Sequence, residues 1–307
     1  GGKPGTDTIT VLNVADDTKV SAILAGDIDV AVAPSSTTLS QVEGNDTIEM
    51  VKVTGTRESD LEMNCREGRP TADVNLRKAL SYAIDRDVIA QIAGAGYAQA
   101  LGKAFPDSVG YDEGKDVESQ TYDVEKAKEC LAAAGYADED GNGYVEKDGE
   151  ELVLNIALRS NASTAVYQAM QDMWKEIGVH VEIQLMENTS DIRESGEFDF
   201  LGAGWQTVNN ADGQSYLKNR WSDNGPDNYT AFHSDAFQEV MDRLDAAFDY
   251  DERVQCFVDA EQILTEECPT IFLYANENVT LINTDTVENV TVFPIDYYMI
   301  TADWTAK

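Results

Sequence analysis

Apolar residues recur at helical spacing through residues 73–101. Val74, Ala79, Leu80, Ala83 and Ile84 form one stripe, while Asn75, Arg77, Lys78 and Tyr82 lie off it, which is the pattern of an amphipathic helix packed on one side. Asp85, Arg86 and Asp87 interrupt the stripe before Val88, Ile89 and Ile92 resume it. The spacing predicts two abutting helices or one broken helix, with Asp73 as the N-cap and Gly94 and Gly96 as the stop.

Upstream, residues 8–14 alternate as a strand does, 19–25 read as a short helix closed by Gly26, and 27–32 as a second strand. A polar helix at 37–42 and strands at 47–54 and 60–64 complete an α/β block. Beyond a loop rich in Gly, Asp and Ser at 102–120, a helix at 124–134 is capped by Asp123 and stopped by Gly135, and a strand follows at 152–158. Residues 164–177 bring Val166, Met170, Met173, Trp174 and Ile177 onto one helical face; Met and Trp invite a cofactor reading, but this spacing is that of a packed core. Residues 179–186 alternate strictly, with His180 on the polar side, and 198–202 form a buried strand running into Trp205. Helices at 235–248 and 251–266 precede Pro269, and strands at 271–274, 279–282 and 290–293 close the chain. This order predicts a mixed α/β protein in which one lobe is inserted into another, so that Met63-Asn64 and Thr270-Ile271 meet at a hinge.

At 307 residues the chain has room for about two domains. Its 57 acidic and 22 basic residues give a net charge of −35, which excludes a groove for nucleic acid and repels anionic membranes. The acids are spread along the whole length, so they read as a solvated acidic surface. No apolar run approaches the roughly 20 residues of a membrane helix, and the opening residues lack the basic and apolar regions of a signal peptide, so none is expected in this chain. Cys65, Cys130, Cys256 and Cys268 show no C-x-x-C spacing and only two histidines accompany them, so a structural zinc is not expected. Disulfide pairing stays open, although a regular helix would hold Cys256 too far from Cys268 to bridge.

No nucleophile elbow, zinc-protease helix, phosphate loop or dinucleotide fingerprint occurs. An enzyme would have to be built from carboxylates, and in so acidic a chain paired acids discriminate nothing. The loop at 138–146 is sharper. Asp138, Asp140 and Asn142 at alternate positions, Gly143 at the sixth, the Tyr144 carbonyl at the seventh and Glu146 at the ninth follow a calcium loop, while Gly149 holds the twelfth place and Glu150 follows it. A weak calcium site is the expectation, against a polar turn built from the same residues. Trp205, delivered from a buried strand into a polar loop flanked by glycine, offers a flat face to stack on a ligand or to pack in the core.

The string LRKALSYAIDRDVI at 76–89, preceded by PTAD, resembles the most recognisable segment of the family 5 extracellular solute-binding proteins, the oligopeptide, dipeptide and nickel receptors of ABC importers. Residues 122–152, 198–205 (FDFLGAGW) and 229–274 are similar to further family segments, in order and spacing. The resemblance implies a type II periplasmic-binding-protein-like α/β fold, with an incomplete first lobe from 1–64 and 271–307 and a second lobe from 65–270. It implies a monomeric, extracytoplasmic receptor, periplasmic or lipid-anchored, that closes on a small solute and delivers it to a membrane permease without catalysis or a required cofactor. Family members carry a further N-terminal region, and residues 1–10 resemble a junction within them, so the chain is expected to be a C-terminal fragment. Ligand contacts are expected from Trp205, Gln206, Val208, Asn209, Asn210, Asp212 and Tyr229. In the peptide-binding branch an Asp three positions after the Trp pairs with the peptide ammonium; here that place holds Val208, leaving Asp212, or Asn209 and Asn210, to substitute, and leaving a nickel chelate open.

Overall fold

Helix α1 (Lys19–Ala25) ends at Gly26, whose φ of 79° is the left-handed cap expected of glycine. Strand β1 (Val30–Val32), a 3-10 helix (Ser36–Val42) and the long β2 (Ile48–Met63) follow. Val20, Ile23, Leu39, Val42 and Ile48 pack with Val279 and Leu281 as a small core at this end of the molecule. The computed structural model describes residues 4–115, 117–160, 162–295 and 300–307. The strand expected at 8–14 does not form: Val11 and Leu12 are 75% and 58% exposed, and no strand among the described residues pairs with the segment.

The organising helices are two, α2 (Val74–Tyr82) and α3 (Arg86–Gly94). Asp73 caps α2 by accepting from the Asn75 amide, and Asp85 caps α3 through the amides of Asp87 and Val88. The charges at the elbow are structural. Arg77 donates to the carbonyls of Thr71, Ala72, Glu267 and Cys268, and Arg86 to those of Ser81, Ile84 and Phe272 and to Gln120 Oε1, so both buried guanidinium groups saturate oxygens that packing would otherwise leave unpaired.

Next come β3 (Ala98–Ala100), α4 (Val124–Ala133), the hairpin of β4 (Glu146–Lys147) with β5 (Glu150–Glu151), β6 (Val153–Arg159), α5 (Ala165–Glu176), β7 (His180–Met186), α6 (Ser190–Ser195) and β8 (Phe200–Gln206). After these stand α7 (Gln214–Trp221), α8 (Asp235–Ala246), α9 (Tyr250–Glu267), β9 (Thr270–Asn283), β10 (Val287–Glu288) and β11 (Thr305–Ala306). One sheet runs in the order β1-β9-β2-β8-β6-β7, with β3 also on β9; β6, β7 and β8 are parallel and the other pairs antiparallel. The face of α5 is core: Val166, Met170, Trp174 and Ile177 join Leu76, Leu80, Ile84 and Phe200, with Trp174 stacked on Phe200 at 5.1 Å and donating to the Leu80 carbonyl at 2.9 Å. No helix among the described residues is long and apolar enough to cross a membrane.

Strands β2 and β9 are each continuous where the hydrophobic pattern predicts two. Register shifts between Thr54 and Glu58 and between Ser59 and Asp60 break the alternation without ending the strand. The Met63 amide donates to the Pro269 carbonyl at 3.0 Å, so residues 63–64 and 269–271 lie side by side. Residues 290–293 are not a strand; the Asn278 side chain holds that segment by donating to the carbonyls of Phe293 and Pro294. All four cysteines are free thiols.

Candidate functional site

Ligands of open α/β sheets gather beyond the carboxyl ends of parallel strands, and here those ends are Arg159, Met186 and Gln206. Strand β8 delivers Trp205 and Gln206 there because it pairs with β2 as far as Arg57↔Gln206. Thr207 then ties the loop to β2, its hydroxyl and amide both donating to the Thr56 carbonyl, at 2.7 and 3.1 Å.

The expected ligand residues divide in three groups. Trp205 is partly exposed, and its buried Nε1 has no partner among the described residues. Gln206 donates to Thr56 Oγ1 and, at 3.3 Å, to the Val208 carbonyl, leaving Oε1 buried and unpartnered. Asn209 and Asp212 bridge across a tight turn whose middle residues, Asn210 and Ala211, have φ of 52° and 62°. Asn209 and Asn210 are exposed at its tip.

Two residues stand apart from a ligand-facing role. Val208 is 5% exposed and packs in the cluster of Leu101, Phe105, Tyr111, Tyr216 and Leu217, so its side chain turns to the core. Tyr229 is at the other end of β8, packed with Phe198 and Leu201 beneath Arg193, whose Cζ lies 5.3 Å from the ring. Asp212 is in the loop, but its carboxylate accepts from Arg253 Nη2 at 2.7 Å and the Gln214 amide at 2.8 Å, so the acid nominated to receive an ammonium already has a cation.

Helix α7, over residues to which the hydrophobic pattern assigns no element, brings the strongest electrostatic feature. Its Arg220 is 1% exposed and donates to Glu58 Oε1 at 2.7 Å, Asp60 Oδ2 at 2.6 Å and Glu62 Oε1 at 2.7 Å. The guanidinium also lies over Trp221, Trp205 and Tyr216, at 4.3, 5.0 and 5.6 Å from their ring centroids. Burial, and then the charge of Asp60, pushes the Glu58 carboxyl well above its ordinary range; burial also raises Glu62. The available signal was the alternation E-x-D-x-E at 58–62, which puts three acids on one face of a strand that the sheet must bury.

In the candidate calcium loop, carboxylate oxygens of Asp138, Asp140 and Glu146 lie within 4.8 Å of one another. Asp138 accepts from the amides of Gly141 and Gly143, Asp140 from that of Asn142, and Glu146 from that of Glu139. Three hard oxygen donors suit calcium, whereas Asn142 Oδ1 is taken by the Tyr144 amide. His180 is a surface residue beside this loop, paired with Glu151 at 2.9 Å.

This mixed α/β architecture, with a loop at the carboxyl end of a strand that pairs along the long β2, is that of the two-lobed periplasmic binding proteins. The structure of NikA from Brucella suis in complex with Fe(III)-EDTA superposes with a TM-score of 0.84 at 19% identity, covering 100% of this chain and 63% of that one. The nickel ABC transporter structure from Bacillus halodurans does so with a TM-score of 0.83 at 23% identity, covering 95% and 61%. The chain belongs to the bacterial extracellular solute-binding proteins, family 5 Middle, whose family profile matches residues 1–228. It is 26% identical to the oligopeptide-binding protein AppA of Bacillus subtilis (strain 168), covering 100% of this chain and 57% of AppA. Against the dipeptide-binding protein of Escherichia coli (strain K12) it is 24% identical, covering 89% and 50%. The chain thus spans about half the length of the curated relatives it matches.

Proposed function

We propose that this chain is part of the substrate-binding component of an ABC importer, which captures a small solute between two lobes and hands it to a membrane permease. Binding and release involve no covalent chemistry. Residues 1–64 and 271–307 contribute to the first lobe and 65–270 form the second; the receptor works outside the cell membrane as a monomer, in the periplasm or held by a lipid anchor. The observation that carries this reading is the run of β2 and β9, unbroken, between the Val20/Leu281 core and the Leu80/Trp174 core, with Trp205 opposite Glu58 in the stretch between them. Trp205 stacks on the solute, and Gln206, Asn209 and Asn210 supply polar contacts.

A peptide or a metal chelate is the solute. The Asp212–Arg253 pair favours a solute that does not depend on a free ammonium at this loop. Thermal-shift screening of the receptor against dipeptides, oligopeptides, nickel–histidine and sugars, followed by calorimetry on any stabilising compound, tests the reading. Trp205→Ala is expected to weaken binding about tenfold or more. A stabilising solute whose affinity ignores Trp205→Ala would overturn the assignment. We also propose that Asp138, Asp140 and Glu146 hold calcium as a structural ion.

A further inference from the structure

Glu58, Asp60 and Glu62 alternate along β2, so all three point toward Arg220, and none of the four is more than 1% exposed. Asp60 has the fullest set of donors, Arg220 Nη2 at 2.6 Å and Thr270 Oγ1 at 2.7 Å, whereas Glu58 and Glu62 each accept one bond from Arg220. Among the described residues, one oxygen of every acid is buried without a partner: Glu58 Oε2, Asp60 Oδ1 and Glu62 Oε2. The same enclosure holds donors without a partner among the described residues, namely Arg220 Nε and the indole nitrogen of Trp205.

The neighbouring elements supply little compensation. Tyr216 of α7 faces Glu58 and Asp60, Tyr167 of α5 faces Asp60, and Arg193 of α6 acts on Glu62 as its weakest influence. Three ionised acids against Arg220 would leave two negative charges uncompensated in a space closed to water. A buried group in that position neutralises itself by taking up a proton, because desolvating the bare charge costs more.

We propose that the Glu58–Asp60–Glu62–Arg220 cluster is a proton-binding site, with Glu58 the acid that takes up the proton, and that its protonation state positions Trp205. Burial and the charge of Asp60 act on Glu58 in that direction. Glu58 is the direct cross-strand partner of Trp205, and Arg220 spans the two, so loss of the proton to bulk water draws the guanidinium toward Glu58 and off the indole it covers. The consequence for solute capture, binding whose strength follows pH, rests on the proposed receptor function; the proton site itself does not.

The test is carbon NMR of glutamate side-chain carboxyls in the solute-free chain between about pH 4 and 9. Glu261 is one buried glutamate whose carboxyl is raised, to about 7, and Glu261→Gln assigns its signal. At least one further glutamate is expected to titrate more than about one pH unit above the usual value near 4.3, and to vanish in Glu58→Gln. The Trp205 indole N–H resonance, assigned with Trp205→Phe, moves with the same midpoint in the unaltered chain and loses that step in Glu58→Gln. Should Glu58→Gln not fold, the unaltered chain decides: Glu261 as the only high-titrating glutamate overturns the proposal, and so does an indole resonance that ignores the second titration. Since no solute enters the measurement, its failure is separable from failure of the receptor reading.

Discussion

Glu58 and Trp205 face each other across the β2–β8 ladder, and Arg220 binds both, with Nη1 2.7 Å from the carboxylate and Cζ 5.0 Å from the indole centroid. The ring proposed to meet solute therefore rests on a buried charge network.

Arg220→Met leaves three buried acids without their cation. Removing one partner of a buried ion pair costs about 3–5 kcal/mol, far more than deleting an exposed pair. Urea unfolding at about pH 7 is expected to show a loss of that size, smaller at about pH 5 where the acids are more readily protonated. Adding Asp60→Asn in the same chain should recover part of it, since the two sites are in contact and do not add independently.

Glu261 gives a separate pH dependence. It is fully buried, accepts from the Phe105 amide at 2.8 Å with one oxygen, leaves the other unpartnered, and burial raises its carboxyl from 4.5 to about 7. The folded value lies above the unfolded one, so its stabilisation is complete below about pH 4.5 and is lost as pH rises through about 7. A rise of that size corresponds to about 3 kcal/mol. Glu261→Gln should narrow the stability difference between about pH 5 and 8 by that order, as read by chemical denaturation; an unchanged difference would show that the acid does not stay protonated.

The elements that periodicity could read were those buried on one face. The α2–α3 pair with its Asp73 cap, the core stripe of α5 and the α8–α9 pair stand close to where their apolar residues put them. Strands β2 and β9 were harder, because a bulge shifts the alternation by a residue and mimics a strand end. The site was only partly legible. Trp205 lies at its strand end as expected, but Val208 and Tyr229 face packing that depends on α7, α9 and α6, elements distant in sequence. The Arg220 cluster was hidden by composition: with acids throughout the chain, three at alternate positions do not stand out until the strand is known to be buried.

Calcium is expected to raise the melting temperature through Asp138, Asp140 and Glu146, whose oxygens lie within 4.8 Å of one another. A dissociation constant near roughly 1 mM would yield about 1.4 kcal/mol at about 10 mM calcium. Asp140→Asn should abolish the gain while leaving the melting point without calcium nearly unchanged, because Asp140 is exposed. A melting temperature indifferent to calcium and to chelator would reduce the loop to a polar turn.

Val208→Asp decides whether the position three residues after Trp205 can serve as an ammonium site in this chain. The Val208 side chain is held among Leu101, Tyr111 and Tyr216, and the turn behind it is fixed by the Asn209–Asp212 bridge, so a carboxylate placed there is buried without a partner. The expected outcome is a loss of about 3–5 kcal/mol in unfolding free energy and no gain for amine-terminated peptides. Asp212 is the acid that can be released instead, since it is 40% exposed and its only ion-pair partner among the described residues is Arg253. Arg253→Gln should therefore raise the affinity of the receptor for a peptide with a free N-terminus and leave that of an N-acetylated peptide unchanged, measured side by side by calorimetry. Equal effects on both peptides would place the ammonium elsewhere.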